Sequence, residues 1–175
     1  IRKNLSPETA VIIGRTTLSR SINALIGSAK SQIVIDTRMA TVDTYRVADQ
    51  RFIAAPIVVS KPADLEWHEQ WTKLSQRTAK LVNEISNWSE SALARELGSQ
   101  LTGAVFIASS RPIRDLESFA SPRTGIETFA NRGLAGIDGN ISTALGIAYA
   151  HKSTIAVLGD LSFLYDLTGL INKET

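Results

Sequence analysis

The sequence contains no cysteine, which excludes disulfides, thiol catalysis and cysteine-ligated metals. Its two histidines, His68 and His151, are too few to build a zinc centre without thiolates. No apolar run approaches the roughly 20 residues that a bilayer span requires, so no transmembrane segment is expected. Long blocks of like charge are also missing, and a net charge of +2 sets up no field that would draw a polyanion. Nucleic acid is therefore not an expected partner. The opening IRKNLSPETA has neither an initiator methionine nor a signal-peptide apolar region, and is read as the start of a piece of a longer, cytoplasmic chain.

What remains is an ordinary globular composition. A hydrophobic fraction of 43% with 21% charged residues in a chain of 175 supports a buried core in one domain or in parts of two. VII (11–13), QIVID (32–36) and RFIAAPIVVS (51–60, broken by Pro56) read as apolar strands. Between the first two, Leu18, Ile22, Leu25 and Ile26 recur at helical spacing, and strand, helix, strand in this order predicts a parallel βαβ unit. The polar stretch 37–50, with Arg38, Asp43, Arg46 and Asp49, reads as a solvated loop or an effector site. Over 64–88 the apolar residues Leu74, Leu81, Val82, Ile85 and Trp88 share one helical face, behind a proline and an aspartate at the start. Trp67, Trp71 and Trp88 are expected to pack. A further helix, 89–100, is expected to close at Gly98.

The last third alternates strand and helix: AVFIA (104–108), SSRPIRDLESFA, IETFA (126–130), NISTALGIAYAHK (140–152), STIAVL (153–158) and LSFLYDLTGLI. Three strand-to-helix turns follow one another, and in open α/β sheets ligands sit outside the carboxyl ends of the strands. The first turn holds Ser109, Ser110, Arg111, Arg114 and Asp115. Ser110 could simply cap the helix, or the turn could bind a carboxylate or phosphate through an arginine near a helix N-terminus. The second, NRGLAGIDG (131–139), sets Arg132 ahead of Gly133, Gly136 and Gly139, and carries Ile137 as an unusual apolar residue in a glycine-rich loop. An arginine fork there suits a carboxylate, Ile137 is either core or support for a ligand ring, and Asp138 is expected to cap the next helix. This is not the G-x-G-x-x-G dinucleotide spacing. In the third turn, Gly159 and Asp160 precede a helix. Asp160 is an N-cap, or a Mg²⁺ ligand at a diphosphate received by that helix N-terminus. His68 lies within a helix and His151 at a helix end, and neither sits in a catalytic arrangement.

Taken together, ANRGLAGIDGNISTALGIA (130–148), GDLSFLYDLTGL (159–170) and VFIASSRPIRDL (105–116) resemble the thiamine-diphosphate-dependent 2-succinyl-5-enolpyruvyl-6-hydroxy-3-cyclohexene-1-carboxylate synthases of menaquinone biosynthesis. The resemblance is dense over 104–171 and only general before that. It implies an α/β fold of the parallel-sheet, thiamine-diphosphate-binding type. Residues 1–62 would be the later part of a middle domain, 63–88 a connector helix, and 89–175 the first half of a diphosphate-binding domain.

It further implies a transferase or carboligase that decarboxylates 2-oxoglutarate and adds the resulting carbanion equivalent to isochorismate. The cofactors would be thiamine diphosphate and Mg²⁺ (or Mn²⁺), in a homodimer or homotetramer with the site between subunits. By resemblance, Asp160 would ligate the metal, and Gly136, Gly159, Leu161 and Ser162 would lie near the cofactor. Ile137 would prop its bent form, and Arg114 and Arg132, with Ser110, would bind substrate carboxylates. The family's second metal-binding residue, an asparagine, would lie beyond Thr175, and its activating glutamate in a further N-terminal domain. The isolated chain is accordingly expected to be inactive. A non-catalytic carboxylate- and diphosphate-binding module, or an unrelated phosphate-binding α/β domain, are the competing readings.

Overall fold

The structure, a computed structural model, describes residues 5–16, 18–38, 48–54, 64–132 and 136–171. The chain divides into two units, Ile1–Thr78 and Ala79–Thr175. Both are α/β with parallel sheets, as the alternation of strand and helix signals predicts. Among the described residues, no helix is long and apolar enough to cross a membrane.

In the first unit, β1 (Thr9–Ile13), β2 (Ser31–Ile35) and β3 (Gln50–Phe52) form a parallel sheet in that order. Val11 lies opposite Ile33, and Ile33 opposite Gln50. β1 stops at Gly14, whose φ of +78° is a conformation that glycine reaches without steric cost. The chain then enters α1 (Arg20–Gly27), where the Ser19 hydroxyl accepts from the Ile22 amide at 3.3 Å and caps the helix. β3 covers only the first residues of the predicted third strand. Positions 55–60 with Pro56, and 39–47 with Asp43 and Arg46, lie outside the described residues. The side chain of Arg38 folds back on Asp36, a buried carboxylate just past β2. Its hydrogen bonds hold the Asp36 carboxyl down at about 2.

α2 (Leu65–Asn83) opens with Asp64, whose carboxylate accepts from the Trp67 amide at 3.0 Å. Trp67 and Trp71 pack edge to face at 5.8 Å, as helical spacing predicts. The helix is shorter than expected, however. Ile85 and Trp88 lie beyond its end, and Trp88 is 81% exposed. The cause is Arg95, which donates to the carbonyls of Val82, Asn83 and Ile85 at 3.1, 3.3 and 2.8 Å, thereby pairing acceptors that a helix end leaves open.

The second unit runs α3 (Glu90–Gln100), β4 (Gly103–Ile107), α4 (Arg111–Phe119), β5 (Ile126–Phe129), α5 (Asn140–Ala150), β6 (Thr154–Val157), α6 (Asp160–Tyr165) and a 3₁₀ turn at Leu167–Leu170. Ser89 caps α3 through the Ala92 amide at 3.3 Å. Gly98 does not close this helix but lies inside it. A β-carbon there would come within 2.4 Å of the Ala120 methyl, so the glycine lets α3 approach the segment after α4.

The strands are parallel in the order β5-β4-β6. Val105 and Ile107 pack with Leu101, Leu97, Ile113 and Leu116 on one face, while Phe106 and Ala108 pack with Ala144 and Ile147 on the other. Helices thus cover both faces of β4, and for this reason it reads as an unbroken apolar run rather than an alternating one. Phe106 and Val105 are fully buried, each worth about 1.5–3 kcal/mol of hydrophobic stabilisation. From β4 the chain goes to one side, and α5 then carries it across to the other. That order makes the crevice outside the carboxyl ends of β4 and β6 the topological switch point.

Candidate functional site

All three predicted turns lie at the carboxyl ends of the parallel strands β4, β5 and β6. After β4, Ser110 occupies the N-cap position of α4 without capping it. Its φ is +74° and its ψ −130°, and its side chain makes no cap hydrogen bond. Among the described residues it is the one non-glycine with positive φ, a strained conformation of the kind that clusters at functional sites. Arg114, one turn on, donates to the Ser110 carbonyl at 2.9 Å. Arg111 instead pairs with the buried Asp115 at 3.2 Å, so it stabilises α4 itself.

After β5, Arg132 reaches the Ser109 hydroxyl at 3.3 Å, and that hydroxyl donates to the Asn131 carbonyl at 3.4 Å. Asn131 in turn donates to Thr143 of α5 at 3.1 Å. Arg114 and Arg132 are both exposed, and among the described residues neither forms an ion pair. Guanidiniums of this kind can pair with anions, carboxylates above all.

Gly133 lies outside the described residues. Gly139 has φ +69° and is the N-cap of α5, with no side-chain cap. Asp138 therefore does not cap α5 as expected. Its carboxylate instead turns toward Gly136, whose β-carbon position lies 2.4 Å from Asp138 Oδ1. The capping group comes from far along the chain. Asp166, buried at 8% exposure, accepts from the Gly139 amide at 3.0 Å and from the Ile141 amide at 2.6 Å. Asn140, 2% exposed, donates to the Ile137 carbonyl at 3.0 Å and to the Ser162 hydroxyl at 2.8 Å. With its backbone held, Ile137 presents an apolar side chain that is 46% exposed.

After β6, Gly159 has an ordinary φ of −76° and nothing within 4 Å of its β-carbon position. The fold does not require glycine there; the hydrogen leaves open a space that a side chain would fill. Asp160 is exposed and is the first residue of α6 rather than its N-cap, and its carboxylate has no hydrogen bond or ion pair with any described residue. The first helical bond of α6 runs from Phe163 to the Gly159 carbonyl at 2.9 Å, so the amides of Asp160, Leu161 and Ser162 precede it, where helices leave donors unpaired. Leu161 is exposed, while the Ser162 hydroxyl turns inward to Asn140 and Ile137.

A diphosphate fits this arrangement: an open cradle at Gly159 stands beside unpaired amides. Asp160 brings a carboxylate to this turn, and a carboxylate together with phosphate oxygens fits Mg²⁺; among the described residues no group of three or more His, Cys, Asp or Glu side chains could hold a metal ion.

The remaining features lie elsewhere. An open cavity of about 450 Å³ sits at the amino ends of the same strands, lined by Gly103, Ile126, Glu127, His151, Lys152 and Ser153. His151 ends α5, its ring edge on Phe129 at 5.4 Å and its Nε2 3.7 Å from Glu127. Sequence reading missed Asp166 and Asn140, because a lone acid between two short helices carries no local signal.

No family model matches the chain. It is similar to 2-succinyl-5-enolpyruvyl-6-hydroxy-3-cyclohexene-1-carboxylate synthase of Thermobifida fusca (strain YX), with 36% identity over 94% of this chain and 32% of the relative. The enzymes of the same name from Corynebacterium glutamicum (strain R) and Staphylococcus epidermidis (strain ATCC 12228 / FDA PCI 1200) are each 31% identical over 96% of this chain, and over 34% and 32% of their own lengths. The chain spans about one third of the length of the curated relatives it matches. Along nearly all of its own length, this chain is homologous to one third of a 2-succinyl-5-enolpyruvyl-6-hydroxy-3-cyclohexene-1-carboxylate synthase.

Proposed function

We propose that the chain is part of a thiamine-diphosphate-dependent synthase that joins a fragment of 2-oxoglutarate to isochorismate in menaquinone biosynthesis. The observation that carries this reading is that one sheet end brings together Arg114, Arg132 and the Asp160 carboxylate, none in an ion pair among the described residues, and the open position at Gly159. When bound, thiamine diphosphate supplies the electron sink for decarboxylation and carbon–carbon bond formation.

The protein's own part is binding and orientation. Asp160 holds Mg²⁺ (or Mn²⁺), and the backbone of Gly159, Leu161 and Ser162 faces the diphosphate. Ile137 supports the cofactor's apolar underside, with Gly136 giving its backbone room. Arg114 and Arg132, with Ser110, hold the substrate carboxylates, whose negative charge matches the two guanidiniums. Because the Ser162 hydroxyl is committed to Asn140 and Ile137, its share in this reading is its amide. The reading also carries a cytoplasmic homodimer or homotetramer, its site completed by a second subunit.

Calorimetric titration of the full-length synthase that contains this chain tests it. Thiamine diphosphate is expected to bind with Mg²⁺ and to lose that binding when Mg²⁺ is chelated, while NAD does not bind. An absence of thiamine diphosphate binding with Mg²⁺ present would refute the reading. Tight cofactor binding with no response to 2-oxoglutarate would favour a non-catalytic module instead.

A further inference from the structure

We infer that Asp166 is a positioning residue, which sets the Ile137 turn against the Gly159–Asp160 turn by capping α5 across the sheet end. α5 cannot cap itself: Gly139 stands at its N-cap with φ +69° and has no side chain, so the first amides of the helix need a partner from elsewhere. Asp166 supplies both oxygens of its carboxylate, Oδ1 to Gly139 and Oδ2 to Ile141, from 27 and 25 residues further on. Bonds to an ionised acceptor are the strong ones, and a negative charge is favoured at the positive end of a helix.

The second strap runs alongside. Asn140 divides its amide between the Ile137 carbonyl and the Ser162 hydroxyl, and that hydroxyl donates back to the Ile137 carbonyl at 3.4 Å. Two buried side chains from different elements therefore fix one exposed apolar residue. The carboxylate of Asp166 meets the amino end of α5 from within the chain.

That the fixed Ile137 supports a cofactor rests on the function proposed above; the capping itself does not. Asp166→Asn keeps one acceptor and loses the charge and the second acceptor, whereas Asp166→Ala loses everything. In ¹⁵N-resolved spectra of the whole chain, the Gly139, Ile141 and Ile137 amides are expected to shift in both variants. Hydrogen exchange at Gly139 and Ile141 should accelerate at least tenfold in Asp166→Ala and less in Asp166→Asn, with Val105 and Phe106 of β4 unchanged as the fold control. Unmoved Gly139 and Ile141 signals would overturn the capping. Moved signals at those two amides with an unmoved Ile137 would overturn the positioning. If Asp166→Ala fails to fold, Asp166→Asn alone decides both points. Mg²⁺-dependent thiamine diphosphate affinity of the full-length synthase forms the separate arm, expected to weaken tenfold or more in Asp166→Ala and to recover in part in Asp166→Asn. A full-length wild-type protein that binds no cofactor would sink the proposed function, while the amide signals still decide the role of Asp166.

Discussion

Arg132 Nη1 lies 3.3 Å from the Ser109 hydroxyl, a bond that ties the turn after β5 to the turn after β4. Among the described residues this neutral hydroxyl is the one hydrogen-bond partner of the guanidinium, which carries five N–H donors.

Arg132→Ala is therefore expected to weaken substrate carboxylate binding and leave the cofactor in place. Loss of a charged hydrogen bond costs about 1.5–3 kcal/mol, which is roughly 10- to 150-fold in affinity. Titration with 2-oxoglutarate, before and after cofactor saturation, checks it. A collapse of thiamine diphosphate affinity instead would mean that Arg132 serves the cofactor.

Asp160→Ala should remove the Mg²⁺ dependence of thiamine diphosphate binding while leaving the melting temperature within a few degrees. The carboxylate is exposed and bonded to no described residue, so the fold loses little with it. Calorimetry with Mg²⁺ and with chelator makes the comparison. Unchanged metal dependence would exclude Asp160 as the ligand.

Ser110→Gly separates strain from function. Serine at φ +74° carries about 1–3 kcal/mol of backbone strain, and glycine relieves it at a cost of roughly 0.5–1 kcal/mol in unfolded-state entropy. The variant should be as stable as the wild type or more so, by up to about 2.5 kcal/mol from those two terms in urea unfolding, and should bind substrate carboxylates more weakly. Ser110→Val should be destabilised, because a β-branched residue fits positive φ worst. A clear stability loss in Ser110→Gly would show that the serine is not strained.

Acid sensitivity is expected in the first unit. The Asp36 carboxyl is lowered from 3.8 to about 2, mainly by its hydrogen bonds with Arg38. A depressed folded value means that the unfolded chain takes up the proton first. The pair's stabilisation is present in full above 3.8 and is lost as pH falls from there through about 2. Arg38→Ala should raise the Asp36 value toward 3.8 and flatten the stability loss over that window. Carboxyl-carbon titration by NMR reads both, and an Asp36 value that does not move in Arg38→Ala would contradict the assignment.

Much of this molecule is legible in one dimension. The runs VII, QIVID, AVFIA, IETFA and STIAVL correspond to strands β1, β2, β4, β5 and β6, because a strand buried on one or both faces announces itself by composition within a few residues. The caps at Ser19, Asp64 and Ser89 are equally local, each acting on an amide three residues on. From the order of these elements follows the placing of all three turns at one sheet end, since parallel strands joined through helices leave their carboxyl ends together.

Four features were decided only by the tertiary structure. α2 ends at Asn83, although its apolar face continues in the sequence to Trp88, because Arg95 of the next helix captures its last carbonyls. Gly98 looks like a terminator and is instead a close contact with Ala120. Ser110 looks like a cap and is instead a strained backbone position. Asp138 looks like the cap of α5, and Asp166 holds that place from 25 residues away. Periodicity and capping preference act over three or four residues, whereas the open carbonyls of α2 and amides of α5 are paired by a group from farther along the chain, and at Gly98 and Ser110 the packing and backbone path of the fold override the local preference.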